Sequence, residues 1–376
     1  MNKHPSLVDT SSGTTYSIDQ PRWCAPDGRP LLVEELPGIS RSAIDFKERS
    51  IWRYKNALPI PIEDPVSLGE GCTPLVNVLF GGLECKCKLE WFSPTGSFKD
   101  RGTSVMISLL KQQGISSIIE DSSGNGGASV AAYGAAAGMA VTIYVPASTQ
   151  PAKIAQIKAY GAAVVSVEGP REATESAAME AAANVFYASH NWHPFFLQGT
   201  KSLGYEIWED LGYSVPDNLV IPGSAGSNVL GCYFAFKELM RSGETDRMPR
   251  IFVSQPANCS PLHTSFQSGS EDYVESMVFP TVAEGTAIRR PIRLREMIGA
   301  LKATNGGTVV STEQEIIDAS FALAQRGLYV EPTSAQAASG FMKLIESGAI
   351  REDEVTVALL TGSGLKATAF YTDQLE

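Results

Sequence analysis

Residues 117–145 read SIIEDSSGNGGASVAAYGAAAGMAVTIYV. The first four residues, 117–120, contain the β-branched pair Ile118 and Ile119 and read as a short strand. A glycine-rich turn follows and opens an alanine-rich helix that ends near Gly138, and residues 141–145 read as the next strand. Two strands joined through a helix pair in parallel, because antiparallel neighbours need only a short hairpin. The stretch therefore predicts an α/β fold with a parallel sheet.

The same alternation extends in both directions along the chain. The predicted strands are residues 83–92, 117–120, 141–145, 163–167, 219–222, 251–254 and 355–360. The predicted helices are residues 100–113, 124–138, 151–160, 202–211, 312–326 and 334–346, with one more after Gly226. Residues 255–308 show no clear period. This pattern predicts an α/β protein with a doubly wound parallel sheet.

Composition indicates an ordinary soluble protein. The chain has 376 residues, of which 43% are hydrophobic and 19% charged, so it is long enough for two domains. It contains no apolar run of about 18 residues and no signal-peptide core at its start, so we expect no membrane partner and a cytoplasmic location. The net charge of −11 argues against a nucleic-acid partner, since phosphate backbones bind basic surfaces.

Cysteine and histidine spacing does not favour a metal site. The six cysteines include no C-x-x-C pair. Cys85 and Cys87 alternate in a predicted strand and read as small buried residues on one face. The pair His190 and His193 has no acidic third ligand nearby, so we expect no metal.

Lys99 is the first candidate for catalysis. It lies in residues 93–102, SPTGSFKDRG, where a loop turns into a predicted helix and Arg101 is close by. An amine fixed at such a junction suits Schiff-base formation with an aldehyde. The alternative is an ordinary solvated lysine at a helix start.

Three further loops follow predicted strands, where ligands bind in open parallel sheets. Residues 122–127 offer hydroxyls, an amide and backbone N–H groups for a carboxylate or ring oxygen, although helix capping explains them nearly as well. Residues 223–228 suit a phosphate at a helix N-terminus but match neither G-x-G-x-x-G nor the Walker pattern.

The third loop, residues 361–366, offers two hydroxyls. A neutral hydroxyl leaves a pyridine nitrogen unprotonated or weakly protonated, which favours chemistry at the β- and γ-carbons over transamination. One phosphate ligand carrying an aldehyde could use these three loops together with Lys99.

Six motifs occur in an order that resembles fold-type II pyridoxal-phosphate enzymes, and within them the threonine synthases. This resemblance implies the tryptophan synthase β-like architecture, an α/β fold with two doubly wound parallel-sheet domains. The motifs are residues 69–75 (GEGCTPL), 94–102 (PTGSFKDRG), 123–125 (SGN), 223–227 (GSAGS), 331–334 (EPTS) and 361–366 (TGSGLK). The resemblance spans residues 68–366 and implies pyridoxal 5′-phosphate as cofactor.

The resemblance also implies roles for single residues. Lys99 would carry the cofactor as a Schiff base and later move the proton, and Phe98 would lie beside the ring. Asn125 would bond the phenolic oxygen and Thr361 the pyridine nitrogen. The phosphate would be bound by five consecutive residues: Gly223, Ser224, Ala225, Gly226 and Ser227.

The domain division also follows from the resemblance. Residues 61–104 and 196–376 would form the large cofactor-binding domain, and residues 105–195 a smaller mobile domain that closes on the substrate. Residues 1–60, rich in Pro, Ser and Gly, would wrap the body of the protein or another subunit. Family analogy suggests a homodimer acting on a small amino-acid substrate.

Departures from the family pattern fall where threonine synthases hold the phosphate of the substrate. The family commonly has threonine where this chain has Gly126, and arginine where it has Phe196. Loss of a bidentate arginine is not conservative for a dianion. The residues predicted to meet the substrate are Ser122, Ser123, Gly126, His193 and Phe196.

Three functions follow from these patterns. The first is a threonine synthase, a carbon–oxygen lyase acting on a phosphate, which eliminates phosphate from O-phosphohomoserine at the γ-carbon and adds water at the β-carbon. The second is a β-eliminating lyase or ammonia-lyase acting on an amino acid without a phosphate. The third is a non-catalytic sensor of small molecules, against which the retention of Lys99, Asn125 and Thr361 speaks.

Overall fold

The computed structural model describes residues 4–80, 82–149, 151–169 and 171–376. The strands are β1 (Ser6–Val8), β2 (Thr15–Ser17), β3 (Leu32–Val33), β4 (Leu75–Phe80), β5 (Leu83–Leu89), β6 (Ser117–Glu120), β7 (Ala140–Pro146), β8 (Ala163–Val167), β9 (Phe186–Tyr187), β10 (Asn218–Pro222), β11 (Arg250–Pro256), β12 (Gly307–Ser311) and β13 (Thr356–Leu360).

The helices are α1 (Lys99–Gln112), α2 (Asn125–Ala136), α3 (Pro151–Ala159), α4 (Arg171–Ala181), α5 (Pro194–Thr200), α6 (Ser202–Asp210), α7 (Ser227–Arg241), α8 (Pro261–Gln267), α9 (Leu294–Ala303), α10 (Glu313–Ala324), α11 (Pro332–Glu346) and α12 (Thr368–Leu375). Short 3-10 helices cover Arg41–Ala43, Ile51–Ala57, Glu284–Thr286 and Gly364–Lys366.

Backbone packing divides the chain into two compact units. The first unit, called unit 1, contains the chain up to Glu70 together with Lys99–Thr200. The second, unit 2, contains Gly71–Phe98 and Lys201–Glu376. The mobility predicted for residues 105–195 stays a prediction.

Unit 1 is built on a four-stranded parallel sheet in the order β8-β7-β6-β9. The chain runs from β6 through α2 to β7 and β8 on one side, and returns to place β9 on the other side of β6. The strand order therefore reverses between β6 and β9. At such a reversal the loops leaving the carboxyl ends of the strands diverge and open a crevice for ligands.

The core of unit 1 packs this sheet against α1 and α2. Its buried apolar side chains include Met106, Ile107, Val130, Tyr133, Ile143 and Phe196. A small antiparallel sheet, β2-β1-β3, adds a second cluster in which Leu7 and Leu31 pack with Leu109 and Phe195. The N-terminal segment thus packs on α1 and α5 of its own unit.

Unit 2 is built on a six-stranded sheet in the order β12-β11-β10-β13-β5-β4. All neighbours are parallel except β4, which pairs antiparallel with β5 at the edge. The strand order reverses between β10 and β13, so the loops after these two strands flank the ligand crevice of this sheet. Strands β10 and β13 are buried along their whole length, as parallel strands covered on both faces are.

The parallel sheet of unit 1 and the mostly parallel sheet of unit 2 confirm the predicted α/β class. The region 255–308, which showed no clear period, contains α8, α9 and the start of β12. Strand β4 and helix α4 were not predicted. In the described residues, no helix combines the length and the apolar character needed to cross a membrane.

Candidate active site

Lys99 is the first residue of α1, in unit 1. The N-terminus of this helix is fixed to α2, because Ser129 Oγ lies 2.6 Å from Asp100 Oδ1 and 2.8 Å from Thr103 Oγ1. On another side α1 packs tightly on α5, where a Cβ added at Gly199 would lie 2.1 Å from the carbonyl oxygen of Arg101. These contacts hold the backbone at Lys99 in one position.

Phe196 lies beside the Lys99 amine. Lys99 Nζ is 5.6 Å from the centroid of the Phe196 ring, a distance at which an ammonium is attracted to the ring face. Phe196 is fully buried, and a Cβ added at Gly102 would lie 2.6 Å from its ring. The ring also meets His190 edge-on, with 5.7 Å between centroids. Phe196 is thus packed between α1 and the loop after β9.

The loop after β6 brings the predicted residues Ser122, Ser123, Asn125 and Gly126 to the N-terminus of α2. Glycine is needed in this turn, because a Cβ at Gly127 would lie 1.9 Å from the carbonyl oxygen of Ser122. The first N–H groups of a helix have no partner within it and attract anions. This end of α2 can therefore bind a carboxylate or a phenolate oxygen.

Two acidic residues at the end of β6 form a buried polar cluster with the loop after β9. Glu120 Oε2 accepts the backbone N–H of His190 at 2.9 Å, and Glu120 Oε1 lies 3.1 Å from His190 Nδ1. Tyr187 Oη donates to Asp121 Oδ1 at 2.5 Å. This cluster lies at the strand reversal of unit 1.

Burial governs the protonation of this cluster. Burial raises the pKa of Glu120 to about 7, and burial together with the Glu120 charge raises the pKa of Asp121 to about 7. Burial, and next the charge of Lys99, lower the pKa of His190 well below its usual range. At neutral pH the imidazole is therefore uncharged, and the carboxyl groups are close to their titration midpoints.

In unit 2, the predicted phosphate loop joins β10 to α7. Gly226 has φ of 96°, in the left-handed region, and a Cβ there would lie 2.6 Å from Met297 Sδ. A Cβ at Gly223 would lie 2.3 Å from Val253 Cγ1. Glycine at both positions is therefore needed for the packing of this loop, and the first N–H groups of the 15-residue helix α7, which have no partner within the helix, can bind an anion.

The loop after β13 carries Thr361 on the other side of the strand reversal in unit 2. Thr361 Oγ1 lies 3.1 Å from Ser334 Oγ, which also accepts the N–H of Gly362 at 2.8 Å. The backbone N–H of Phe98 donates to Thr361 O at 3.0 Å. The predicted residues Phe98 and Thr361 are therefore neighbours, and the hydroxyl is positioned by Ser334 at the start of α11.

In unit 2, the backbone N–H groups of the phosphate loop and the neutral hydroxyl of Thr361 suit a phosphate ester that carries a pyridine ring. In unit 1, Lys99 offers an amine that can react with an aldehyde. Two buried atoms, Ser97 Oγ and Asn228 Oδ1, have no hydrogen-bond partner in the described part of the chain. Buried polar atoms in native proteins are nearly always bonded, so a polar ligand in these loops would complete them.

The structure gives His193 packing contacts at the start of α5. Its Nδ1 accepts the backbone N–H of Phe195 at 3.2 Å, and its ring meets those of Phe186 and Phe195 edge-on. Sequence reasoning did not single out Glu120, included Ser334 only within the motif at residues 331–334, and considered His190 only as a metal ligand, a role that it rejected. The signal for His190 is its position directly after β9, which pairs with β6.

Residues 66–362 match the family of pyridoxal-phosphate dependent enzymes. The chain belongs to this family, and its cofactor is pyridoxal 5′-phosphate. Solved structures with the same fold include the processed form of threonine deaminase isoform 2 from Solanum lycopersicum, at a TM-score of 0.69 and 22% identity over 80% of this chain and 86% of that chain. Another is maize serine racemase, at a TM-score of 0.68 and 21% identity over 81% of this chain and 91% of that one.

Within this family, the chain is similar to threonine synthases. It is 32% identical to threonine synthase of Methanocaldococcus jannaschii over 368 residues, which cover 94% of this chain and 91% of that protein. It is 33% identical to threonine synthase of Methanosarcina acetivorans over 369 residues, 94% of this chain and 90% of that one. The protein is accordingly a pyridoxal-phosphate-dependent lyase.

Proposed function

We propose that the protein is a lyase of the threonine synthase type, which eliminates phosphate from O-phosphohomoserine at the γ-carbon and adds water at the β-carbon. The observation that carries this proposal is the similarity to threonine synthases over 94% of the chain. The neutral hydroxyl of Thr361, held by Ser334, adds support, because it favours β- and γ-carbon chemistry over transamination.

The roles of single residues belong to this proposal. Bound pyridoxal phosphate supplies an electron sink for the α-carbon of an amino acid. Lys99 would hold the aldehyde through Nζ, and once the amino group of the substrate replaces it there, the released amine would move protons on the substrate carbons as general base and acid. The backbone N–H groups of residues 223–227 bind the phosphate, and Asn125 and Thr361 orient the ring.

The N-terminus of α2 has a separate role in this proposal. Its first N–H groups and the hydroxyls of Ser122 and Ser123 bind the α-carboxylate of the substrate, since anions are stabilised at helix N-termini. This contact fixes the amino acid with its α-proton near the Lys99 amine. The rigid backbone around Lys99 keeps the amine available for successive proton transfers.

A β-eliminating lyase or ammonia-lyase for an unphosphorylated amino acid is the second candidate. It is favoured by the uncharged residues Gly126 and Phe196, at the positions where threonine synthases commonly have threonine and arginine. Phe196 is buried beside the Lys99 amine and offers no charge to a phosphate dianion. The non-catalytic sensor gains no support from relatives that are named as enzymes.

We also propose a homodimer in the cytoplasm as the working form. Exposed apolar side chains of unit 2, among them Phe92 and Leu365, are candidates for burial in its interface. Sedimentation velocity of the purified protein tests this point, since a monomer at micromolar concentration would contradict it.

Product analysis separates the two enzymatic candidates. Cofactor-loaded protein is incubated in parallel with O-phospho-L-homoserine, L-serine and L-threonine, and phosphate, threonine, ammonia and 2-oxo acids are measured. A threonine synthase releases phosphate and threonine in equal amounts from the first substrate. A protein that instead releases ammonia and a 2-oxo acid from serine or threonine, and no phosphate, supports the second candidate.

A further inference from the structure

In unit 1, the ring of His190 occupies the space that a side chain at position 126 would need. A Cβ added at Gly126 would lie 2.6 Å from both Cε1 and Nδ1 of the His190 ring. Real Cβ atoms do not approach other atoms this closely, so a side chain at position 126 requires the imidazole to move. The ring of His190 therefore fills the volume over the N-terminus of α2 that a residue-126 side chain would take.

This placement follows from the sheet order. Strands β6 and β9 are parallel neighbours at the strand reversal, so the loops that leave them meet at the same edge. Gly126 follows β6 and His190 follows β9. An imidazole from one loop can thus stand directly over the first turn of the helix that leaves the other.

Glu120 holds the imidazole in place from β6. It accepts the backbone N–H of His190 at 2.9 Å, and its other oxygen lies 3.1 Å from Nδ1. With Nδ1 directed at Glu120, Nε2 is the ring nitrogen left for a ligand. Phe196 supports the ring edge-on, with 5.7 Å between the two centroids. The ring is nearly buried, so it sits in this orientation without competition from bulk water.

The charged groups that act on His190 come from three elements. Lys99 at the start of α1 and Arg171 at the start of α4 oppose its protonation, whereas Asp121 after β6 favours it. Burial acts in the same direction as the two cations, and together they outweigh Asp121 and keep the ring neutral. The protonation state of Glu120 then decides whether Nε2 donates or accepts a hydrogen bond. When protonated Glu120 donates to Nδ1, the ring proton is on Nε2 and Nε2 is a donor. When Nδ1 carries the proton and donates to ionised Glu120, Nε2 is an acceptor.

We propose that His190 is a specificity-determining residue, which replaces the missing side chain at position 126 and hydrogen-bonds an oxygen on the side chain of the substrate through Nε2. The inference rests on the proposed function in one respect, that an amino acid is bound near Lys99 with its carboxylate at α2. It deepens that function by naming the ligand class: small amino acids with an oxygen at the γ-carbon, recognised by a neutral imidazole rather than by a cation.

The test compares two ligands that differ by this oxygen. L-homoserine has a γ-hydroxyl and L-2-aminobutyrate lacks it, and binding of each is followed by the visible absorbance of the cofactor in the loaded protein. His190→Phe keeps a ring over Gly126 and removes both nitrogens. We expect it to weaken L-homoserine binding about 10-fold, as for loss of one hydrogen bond, and to change L-2-aminobutyrate binding less than about 2-fold.

An equal change for both ligands would overturn the inference, because a merely structural effect does not sense the hydroxyl. His190→Asn, which is smaller, repeats the comparison if the phenylalanine variant does not fold. If the wild-type protein makes no threonine from O-phosphohomoserine, while the preference for homoserine still depends on His190, the proposed function fails and the inference stands.

A second experiment tests whether the His190 ring and a side chain at position 126 exclude each other. Gly126→Ala should lower the thermal midpoint of the protein and weaken binding of both ligands, because the new Cβ meets the imidazole. Gly126→Ala combined with His190→Ala should recover the midpoint of His190→Ala alone, without recovering the preference for homoserine. If the double variant is as damaged as the sum of the two single changes, the two residues are independent and the inference is wrong.

Discussion

The ring of Phe196 fills the space that a side chain at Gly102 would need, since an added Cβ would lie 2.6 Å from Cδ2 of the ring. Gly102 lies one turn after Lys99 on α1, and the Lys99 amine is 5.6 Å from the same ring. Phe196 is therefore a buried support of the lysine helix. A change at this position acts on stability as well as on the substrate.

Phe196→Arg should lower the free energy of unfolding by about 3–5 kcal/mol, because it places a cation in a packed apolar cluster. Phe196→Leu should cost about 1–2 kcal/mol and serves as the matched control. Denaturant unfolding of the cofactor-loaded protein measures both. An arginine variant as stable as the leucine variant would show that position 196 can face the substrate, as the sequence comparison with threonine synthases suggested.

Lys99→Ala should reduce turnover by at least about 10³-fold and remove the visible absorbance of the bound cofactor, because it deletes both the cofactor-binding amine and the proton-transferring group. Lys111 lies in the last turn of the same helix and pairs with Asp64 at 2.7 Å on the surface. Lys111→Ala should leave both properties nearly unchanged, since exposed ion pairs contribute little. A yellow and active Lys99→Ala protein is incompatible with the proposed mechanism.

Gly226→Ala should weaken cofactor binding about 10-fold or more, since its Cβ meets Met297 and its φ of 96° is strained for alanine. Gly243 follows α7, has φ of 78° and has open space around it, so Gly243→Ala carries the strain without the contact. We expect that control to lose about 1 kcal/mol of stability and no cofactor affinity. Equilibrium dialysis against pyridoxal phosphate gives both affinities, and equal affinities would argue against a phosphate site at residues 223–227.

The raised pKa of Glu120 makes stability depend on pH. Its folded-state pKa is about 7 against an ordinary value of 4.5, so the folded protein holds the proton more tightly than the unfolded chain. This contribution is fully present below pH 4.5 and is lost as the pH rises to about 7, a difference of about 3 kcal/mol. Glu120→Gln should reduce the fall in stability between pH 5 and about pH 8.

Urea unfolding between pH 5 and about pH 8 measures the effect of Glu120 on the free energy of unfolding. Glu180, which is exposed on α4, provides the control variant Glu180→Gln. Both variants lose one carboxyl group, but only loss of the buried Glu120 carboxyl changes how steeply the free energy of unfolding falls with pH. Parallel curves for the wild type and both variants would mean that Glu120 is ionised throughout, contrary to the burial that surrounds it.

The sequence predicted those parts of the fold in which local signals agree with the tertiary structure. Ser117–Glu120 is a short segment with two isoleucines that is followed by a glycine-rich turn, and the structure has β6, the turn and α2 there. Residues 255–308 lacked such signals, because α8 is short and α9 starts after Arg293 without a side-chain cap. Strand β4, which pairs antiparallel with β5 at the edge of an otherwise parallel sheet, was also missed.

The residues of the candidate site also fall into those that local sequence predicts and those that depend on tertiary contacts. Lys99 and the glycine-rich loop at residues 223–227 are marked by local sequence. The role of His190 is not, because its contact with Gly126 depends on the pairing of β9 with β6 across a long stretch of chain. The burial of Phe196 likewise depends on how α5 packs on α1, which a single sequence does not specify.

The central claim is tested most directly by turnover of O-phospho-L-homoserine in water enriched in ¹⁸O. Elimination at the γ-carbon breaks the carbon–oxygen bond, so the released phosphate keeps its original oxygens, and water addition then places the label in the hydroxyl of threonine. We predict one unlabelled phosphate for each labelled threonine. Label in the phosphate with homoserine as product, or no release of phosphate by folded, cofactor-loaded protein, would contradict the account.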